Sequence, residues 1–125
     1  MNDIELIKEK VEFNPENLIT RVIAKYPELE EESIYQIILD NIYIILNFTN
    51  QDKVHKKLER TLYSMCIDYY KLLLKSDEKD NKIKSTTRGD FKVEFLEDTE
   101  IKRYAESQIL TNYSNVLVEF RKMRN

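Results

Sequence analysis

The stretch EESIYQIILDNIYIILNF, residues 31–48, decides the fold. Acidic residues at positions 28 and 30–32 lie at its start, where they suit the positive end of a helix macrodipole. Apolar or tyrosine side chains then occupy 11 of the 15 positions from Ile34 to Phe48. A helix that is apolar nearly all round has to be covered on nearly all sides. Two explanations are open: a core helix wrapped by its neighbours, or a helix that forms a subunit interface.

Two shorter helices are predicted before this segment. Residues 3–12 carry a short apolar stripe, and a second helix runs over residues 15–25. Asn14 is a good N-cap for the second helix, and Pro15 fits its first position, where a missing N–H costs nothing. Pro27 ends this helix, since proline cannot continue an α-helix without kinking it.

Downstream of the apolar stretch, the pattern predicts a turn and two long helices. Residues 50–52 form the turn and cap. Apolar residues at steps of three and four then predict a helix over 52–75, followed by a polar loop at 76–81. The last helix covers 99–123, with a possible break within 112–115.

Residues 82–95 alternate apolar and polar side chains and predict a β-hairpin. Gly89 is the only glycine of the chain, and it supplies the positive φ that the tight turn at 88–90 needs. One face carries Phe91, Val93 and Phe95. Two strands alone are marginal in water, so this face needs support from the bundle or from a neighbouring subunit.

The composition predicts a single mainly α domain over residues 1–125: a small helical bundle of four to five helices with one inserted β-hairpin. One glycine and two prolines in 125 residues are too few for a turn-rich β fold. The net charge of −3 disfavours avid nucleic-acid binding. We expect no signal peptide and no membrane span. A single cysteine, Cys66, favours a reducing compartment, the cytosol by default.

The sequence offers no catalytic residue, metal site or cofactor motif, so we expect no enzyme. His55 is the only histidine, and no Cys or carboxylate cluster surrounds it at metal-ligand spacing. Cys66 lies on an apolar helical stripe and is expected to be buried. A glycine-rich phosphate loop cannot exist with one glycine. The tripeptide at 88–90 matches an adhesion motif by chance and is interpreted as turn chemistry.

The order of elements resembles the head–tail connector (adaptor, or head-completion) proteins of tailed bacteriophages and related prophage elements. The resemblance covers about residues 30–125. A Ser-rich arm, a glycine turn and an alternating strand occupy 83–95. The family's Leu-x-x-(Tyr/Phe)-Arg-Lys ending matches four residues: Leu117, Phe120, Arg121 and Lys122.

The resemblance implies a structural virion protein of the phage neck, present in the host cytoplasm before assembly. Many copies, commonly twelve, would form a ring that connects the portal protein to the downstream neck or tail-completion protein. The ring would extend the DNA channel without sequence-specific DNA binding. The hairpin would contact subunits or neck proteins through Thr87, Arg88, Gly89, Asp90, Phe91, Val93 and Phe95. The C-terminal segment would dock on the portal through Phe120, Arg121, Lys122, Met123 and Arg124.

The alternative function is a small helical dimeric regulatory or partner-binding protein without catalytic activity. It predicts a stable dimer with no affinity for a portal. A connector instead predicts assembly with the portal.

Overall fold

The structure is a computed structural model that describes residues 3–80 and 99–121, with the side chains of 76–80 and Thr99 excepted. This part of the chain is mainly helical, which confirms the predicted fold class at that level. Two short 3₁₀ turns, η1 and η2, flank the longer helices. The elements are α1 (Asp3–Glu9), α2 (Glu16–Lys25), α3 (Glu31–Thr49), η1 (Lys56–Leu58), α4 (Glu59–Asp80), α5 (Thr99–Leu117) and η2 (Val118–Phe120).

Helix α3 is the centre of the bundle. It packs against α1, α2, α4, α5 and η2. Eleven of its 19 residues are buried, and Ile34, Ile38 and Ile42 are 0% exposed. This burial favours the first explanation of its apolar surface, a core helix wrapped by its neighbours. The α3 surface is a core surface, because elements of the same chain cover it on several sides.

Helices α4 and α5 pack against each other and run in opposite directions. Tyr113, in the second half of α5, donates a hydrogen bond to Asp68 in α4. Phe120, beyond the end of α5, lies beside Gln51 and His55, which precede α4. The end of α5 therefore meets the beginning of α4.

The predicted start of the helix at residue 52 is wrong. Val54 forms a parallel bridge with Val11 instead, and α4 begins only at Glu59. The Val54 N–H donates to Lys10 O at 2.8 Å, and its carbonyl accepts from Glu12 N at 2.9 Å. Because the Val54 N–H and carbonyl bond to Lys10 and Glu12, they are not available for the hydrogen bonds of a helix. For the same reason α1 ends at Glu9 and not at residue 12.

Two further boundaries differ from the prediction. The polar loop predicted at 76–81 is helical as far as Asp80. That stretch contains no glycine or proline to end the helix, and its Glu and Lys are good helix formers. Helix α5 also runs unbroken through 112–115, although a break was possible there.

The predicted N-cap of α2 at Asn14 is one residue too early. The N-cap is Pro15, whose carbonyl accepts from Ile19 N at 2.9 Å, and the helix begins at Glu16. Asn14 Oδ1 accepts a hydrogen bond from Glu16 N at 3.0 Å, just before the helix. Asn50 terminates α3 in the left-handed conformation, with φ of 61°. The predicted turn at 50–52 therefore begins on a residue type that tolerates this conformation.

The predicted hairpin at 82–95 lies outside the described residues. Within 3–80 and 99–121 there is no strand and no sheet, only the single Val11–Val54 bridge. The hairpin therefore gains no support from the structure. Among the helices described, none is both long and apolar enough to cross a membrane.

Candidate functional site

The structure describes two of the residues that the resemblance assigns to contacts. These are Phe120 and Arg121. The other predicted contact residues lie outside the described ranges. They are Thr87, Arg88, Gly89, Asp90, Phe91, Val93, Phe95, Lys122, Met123 and Arg124.

Phe120 and Arg121 belong to a group of side chains at one end of the bundle, which we call the C-terminal cluster: Phe48, Gln51, His55, Phe120 and Arg121. The Phe120 and His55 rings lie 5.1 Å apart, centroid to centroid. Gln51 Nε2 donates to the Phe120 carbonyl at 3.0 Å. The Arg121 guanidinium lies 5.3 Å from the centre of the Phe48 ring, within reach of a cation–π contact. Contacts within the C-terminal cluster therefore set the position of Arg121, where the C-terminal segment begins.

His55 has a structural role that the sequence did not indicate. Its Nδ1 accepts a hydrogen bond from Lys57 N at 3.0 Å and so caps η1. Its ring also supports Phe120. No local pattern predicts the second contact, because His55 and Phe120 are far apart in the chain. The described residues contain no group of three or more His, Cys, Asp or Glu side chains that could hold a metal ion.

The opposite end of α5 is where residues 81–98 join the bundle. This segment connects Asp80, at the end of α4, to Thr99, at the start of α5. Helix α5 has 19 residues, so at 1.5 Å per residue its two ends are about 28 Å apart. The two segments that the resemblance assigns to contacts are therefore attached at opposite ends of one helix.

A polar cluster ties three helices together in the interior, and we call it the Asp40 cluster: Gln36, Asp40, Tyr69 and Lys102. Asp40 accepts hydrogen bonds from Gln36 Nε2 at 2.8 Å and from the Tyr69 hydroxyl at 3.1 Å. Lys102 Nζ lies 3.2 Å from the same carboxylate. Burial, and then the Asp40 charge, raises the pKa of Tyr69 well above its usual range. The cluster therefore links α3, α4 and α5 through the Asp40 carboxylate.

Cys66 is not placed for nucleophilic chemistry. Its side chain is 0% exposed, as the sequence predicts. Burial raises the pKa of the thiol, and the nearby Asp40 charge raises it further. A nucleophilic cysteine needs the thiolate form, so this thiol stays protonated and inert.

A polar pocket lies between α2 and α4. It has a volume of about 360 Å³, and its lining residues are Asn17, Thr20, Arg21, Glu59 and Arg60. The Arg21 guanidinium stacks on the Tyr63 ring, 4.3 Å from its centre. Sequence reasoning missed this pocket because its two walls come from helices about 40 residues apart. The one local signal was the density of basic residues at 53–60.

No family model matches this chain, and no curated protein or solved structure is significantly similar to it. A function therefore has to be argued from the residues and their geometry.

Proposed function

We propose that this protein is a structural, non-catalytic component of a tailed-phage neck. In this proposal several copies, commonly twelve, form a ring between the portal protein and the next neck or tail-completion protein. The ring surrounds the DNA channel in the virion neck, and the protein is in the host cytoplasm before assembly. The inserted hairpin at 82–95 belongs to this proposal.

One observation carries the proposal: the two candidate contact segments are attached about 28 Å apart, at opposite ends of α5. A protein that joins two others along one axis needs contact segments at opposite ends. A single-partner binding protein has no such requirement. The separation therefore supports a connecting function for the two contact segments that the resemblance assigns.

The C-terminal cluster suggests how portal docking would work. Phe120 and Arg121 pack on Phe48, Gln51 and His55 and would therefore orient the segment rather than contact the portal first. Lys122, Met123 and Arg124 would then make the contact. A segment that leaves from a fixed position loses less conformational entropy on binding, which favours affinity.

The ring contacts of this proposal do not include α3. Because α3 is covered within the chain, its apolar residues no longer support a subunit interface. Ring contacts would fall on the hairpin and on the outer helix surfaces. The net charge of −3 remains compatible with a channel through which DNA slides, since a strongly basic lining would hold the phosphates.

The test is the particle mass of the purified protein, measured by mass photometry alone and then with a candidate portal ring. We expect a small species alone and a ring-sized complex with the portal. Lys122→Glu combined with Arg124→Glu should weaken the complex at least tenfold. The matched control, Lys8→Glu with Lys71→Glu, makes the same charge change at two exposed helix positions and should leave binding within twofold.

A second candidate is a dimeric, partner-binding regulator. The observation that favours it is a set of exposed apolar side chains on α5 and η2: Tyr104, Val116 and Val118 are 40–51% exposed. A tight dimer that is indifferent to the portal would support this candidate and overturn the connector proposal.

A further inference from the structure

We propose that the pocket between α2 and α4 is a docking site for an acidic segment of a partner protein. Arg21 and Arg60 would receive one carboxylate of that segment inside the pocket. Lys53, Lys56 and Lys57 would attract its flanking acids. Of these five cations, two line the pocket and three belong to the segment that leads into α4. The inference does not depend on the phage-neck proposal, because it concerns neither the hairpin nor the C-terminal residues.

The five cations carry charges that no described acidic side chain pairs. Lys53, Lys56, Lys57 and Arg60 lie within eight residues and are all exposed. None of the five cations forms an ion pair with another described residue, whereas Lys102 pairs with Asp40 elsewhere in the bundle. The chain as a whole carries a net charge of −3, so this local excess of positive charge runs against the composition. Such a patch attracts an acidic partner and orients its approach.

Arg21 is held in place by an aromatic ring. Its guanidinium lies 4.3 Å from the centre of the half-buried Tyr63 ring. Stacking on an aromatic ring restricts the side chain before any ligand arrives, which lowers the entropic cost of binding. The planar guanidinium fork matches a carboxylate bidentately. Arg60 stands on the α4 wall of the same pocket and supplies a second cation.

Carboxylates near the cations favour a peptide over a nucleic acid. Glu59 also lines the pocket, and Glu12 Oε1 accepts a hydrogen bond from Lys56 N at 3.4 Å. A nucleic-acid backbone carries phosphates but no N–H donors, so these carboxylates would only repel it. An acidic peptide carries negative charge too, but it has a backbone N–H donor at every residue. Glu59, together with the side-chain oxygens of Asn17 and Thr20, offers acceptors for such donors.

The test uses the full chain and a fluorescein-labelled hexaglutamate peptide, with binding followed by fluorescence polarisation. Arg21→Ala with Arg60→Ala should weaken binding at least tenfold. The matched control is Lys25→Ala with Lys71→Ala, which removes two exposed cations from the same two helices outside the pocket. The control should change binding less than twofold. Circular dichroism checks that both variants keep the helical fold, and Arg60→Glu alone is the substitute if the double variant unfolds.

Selectivity provides the second measurement. A labelled single-stranded DNA of six phosphates should bind at least tenfold more weakly than hexaglutamate. Glu59→Gln should reduce this difference in affinity, because it removes a carboxylate that repels phosphates. Three results would overturn the proposal: no binding of hexaglutamate up to about 1 mM, equal losses in the pocket and control variants, or DNA binding as tight as peptide binding. None of these results bears on assembly with a portal, so the two proposals fail independently.

Discussion

Asp40 is the residue at which three helices are joined. Its side chain is 11% exposed, and it accepts from Tyr69 and pairs with Lys102. Asp40→Ala leaves the Tyr69 hydroxyl and the Lys102 ammonium without their acceptor. We expect the free energy of unfolding to fall by about 2–3 kcal/mol, measured by urea denaturation.

The control for this substitution is Asp52→Ala, which removes an exposed carboxylate from the same chain. It should change the free energy of unfolding by less than about 0.5 kcal/mol. Equal effects of the two substitutions would show that the Asp40 cluster contributes nothing beyond surface charge.

Burial of Tyr26 makes the stability of the fold depend on pH in the alkaline range. Burial is the main cause that raises its pKa from 10.0 to about 12, with the nearby Tyr63 and Glu28 adding to the shift. The unfolded chain therefore loses this proton at lower pH than the folded chain does. The contribution of Tyr26 to the free energy of unfolding is therefore fully present below pH 10 and is lost as the pH rises towards 12. Burial also raises the pKa of Tyr69 and that of Tyr113.

Tyr26→Phe should therefore make the alkaline loss of stability shallower. At neutral pH the same change removes a buried hydroxyl that has no hydrogen-bond partner among the described residues, so stability should be unchanged or rise by up to about 1 kcal/mol. Denaturation curves at neutral and alkaline pH measure both effects. Tyr43→Phe, at an exposed position, is the control, and an identical alkaline slope in both variants would contradict the argument.

At the scale of elements, Asn50 sets the end of α3. It is the one described non-glycine residue with a positive φ, at 61°. Asn50→Gly should leave stability unchanged within about 0.5 kcal/mol, because glycine adopts this conformation freely. Asn50→Val should lower the free energy of unfolding by about 1–2 kcal/mol, because a side chain with a branched Cβ is crowded there.

Thermal and urea denaturation of both Asn50 variants measure this difference. Asn47→Val is the control, since it places the same residue on an exposed part of α3, where Asn and Val have similar helix propensities. If Asn50→Val and Asn47→Val had the same effect, the left-handed residue would not be what ends the helix.

At the scale of the whole molecule, the burial of α3 predicts that the isolated chain is folded without a partner. Ile42 is 0% exposed, whereas the adjacent Tyr43 is 40% exposed. Ile42→Ala should lower the free energy of unfolding by about 2–4 kcal/mol, because it leaves a cavity in the core. Tyr43→Lys should change neither the stability, within about 0.5 kcal/mol, nor the particle mass in solution.

Denaturation and light scattering distinguish this core from an interface. If Tyr43→Lys dissociated an oligomer and unfolded the chain with it, α3 would belong to a subunit interface despite its burial within one chain. An unfolding midpoint that depends on protein concentration would also indicate a subunit interface.

Much of the bundle could be predicted from local patterns. The apolar periodicity of α3 and α5, the start of α2 beside Pro15 and the turn at the end of α3 depend on residues within one or two turns of each other. The start of α4 could not be predicted in this way. Val54 fits a helical stripe, but its backbone bonds to Lys10 and Glu12, more than 40 residues earlier. The C-terminal cluster and the α2–α4 pocket escaped sequence reasoning for the same reason.

The sequence by itself determined that this protein is mainly helical and that α3 would be apolar on several sides. These properties follow from the spacing of side chains along a 3.6-residue period, which is a local quantity. Only the tertiary structure decided that α3 is covered by its own chain, that Val54 pairs with Val11, and that Arg21 and Arg60 share one pocket. These outcomes depend on which distant surfaces meet, and many pairings satisfy the same local pattern.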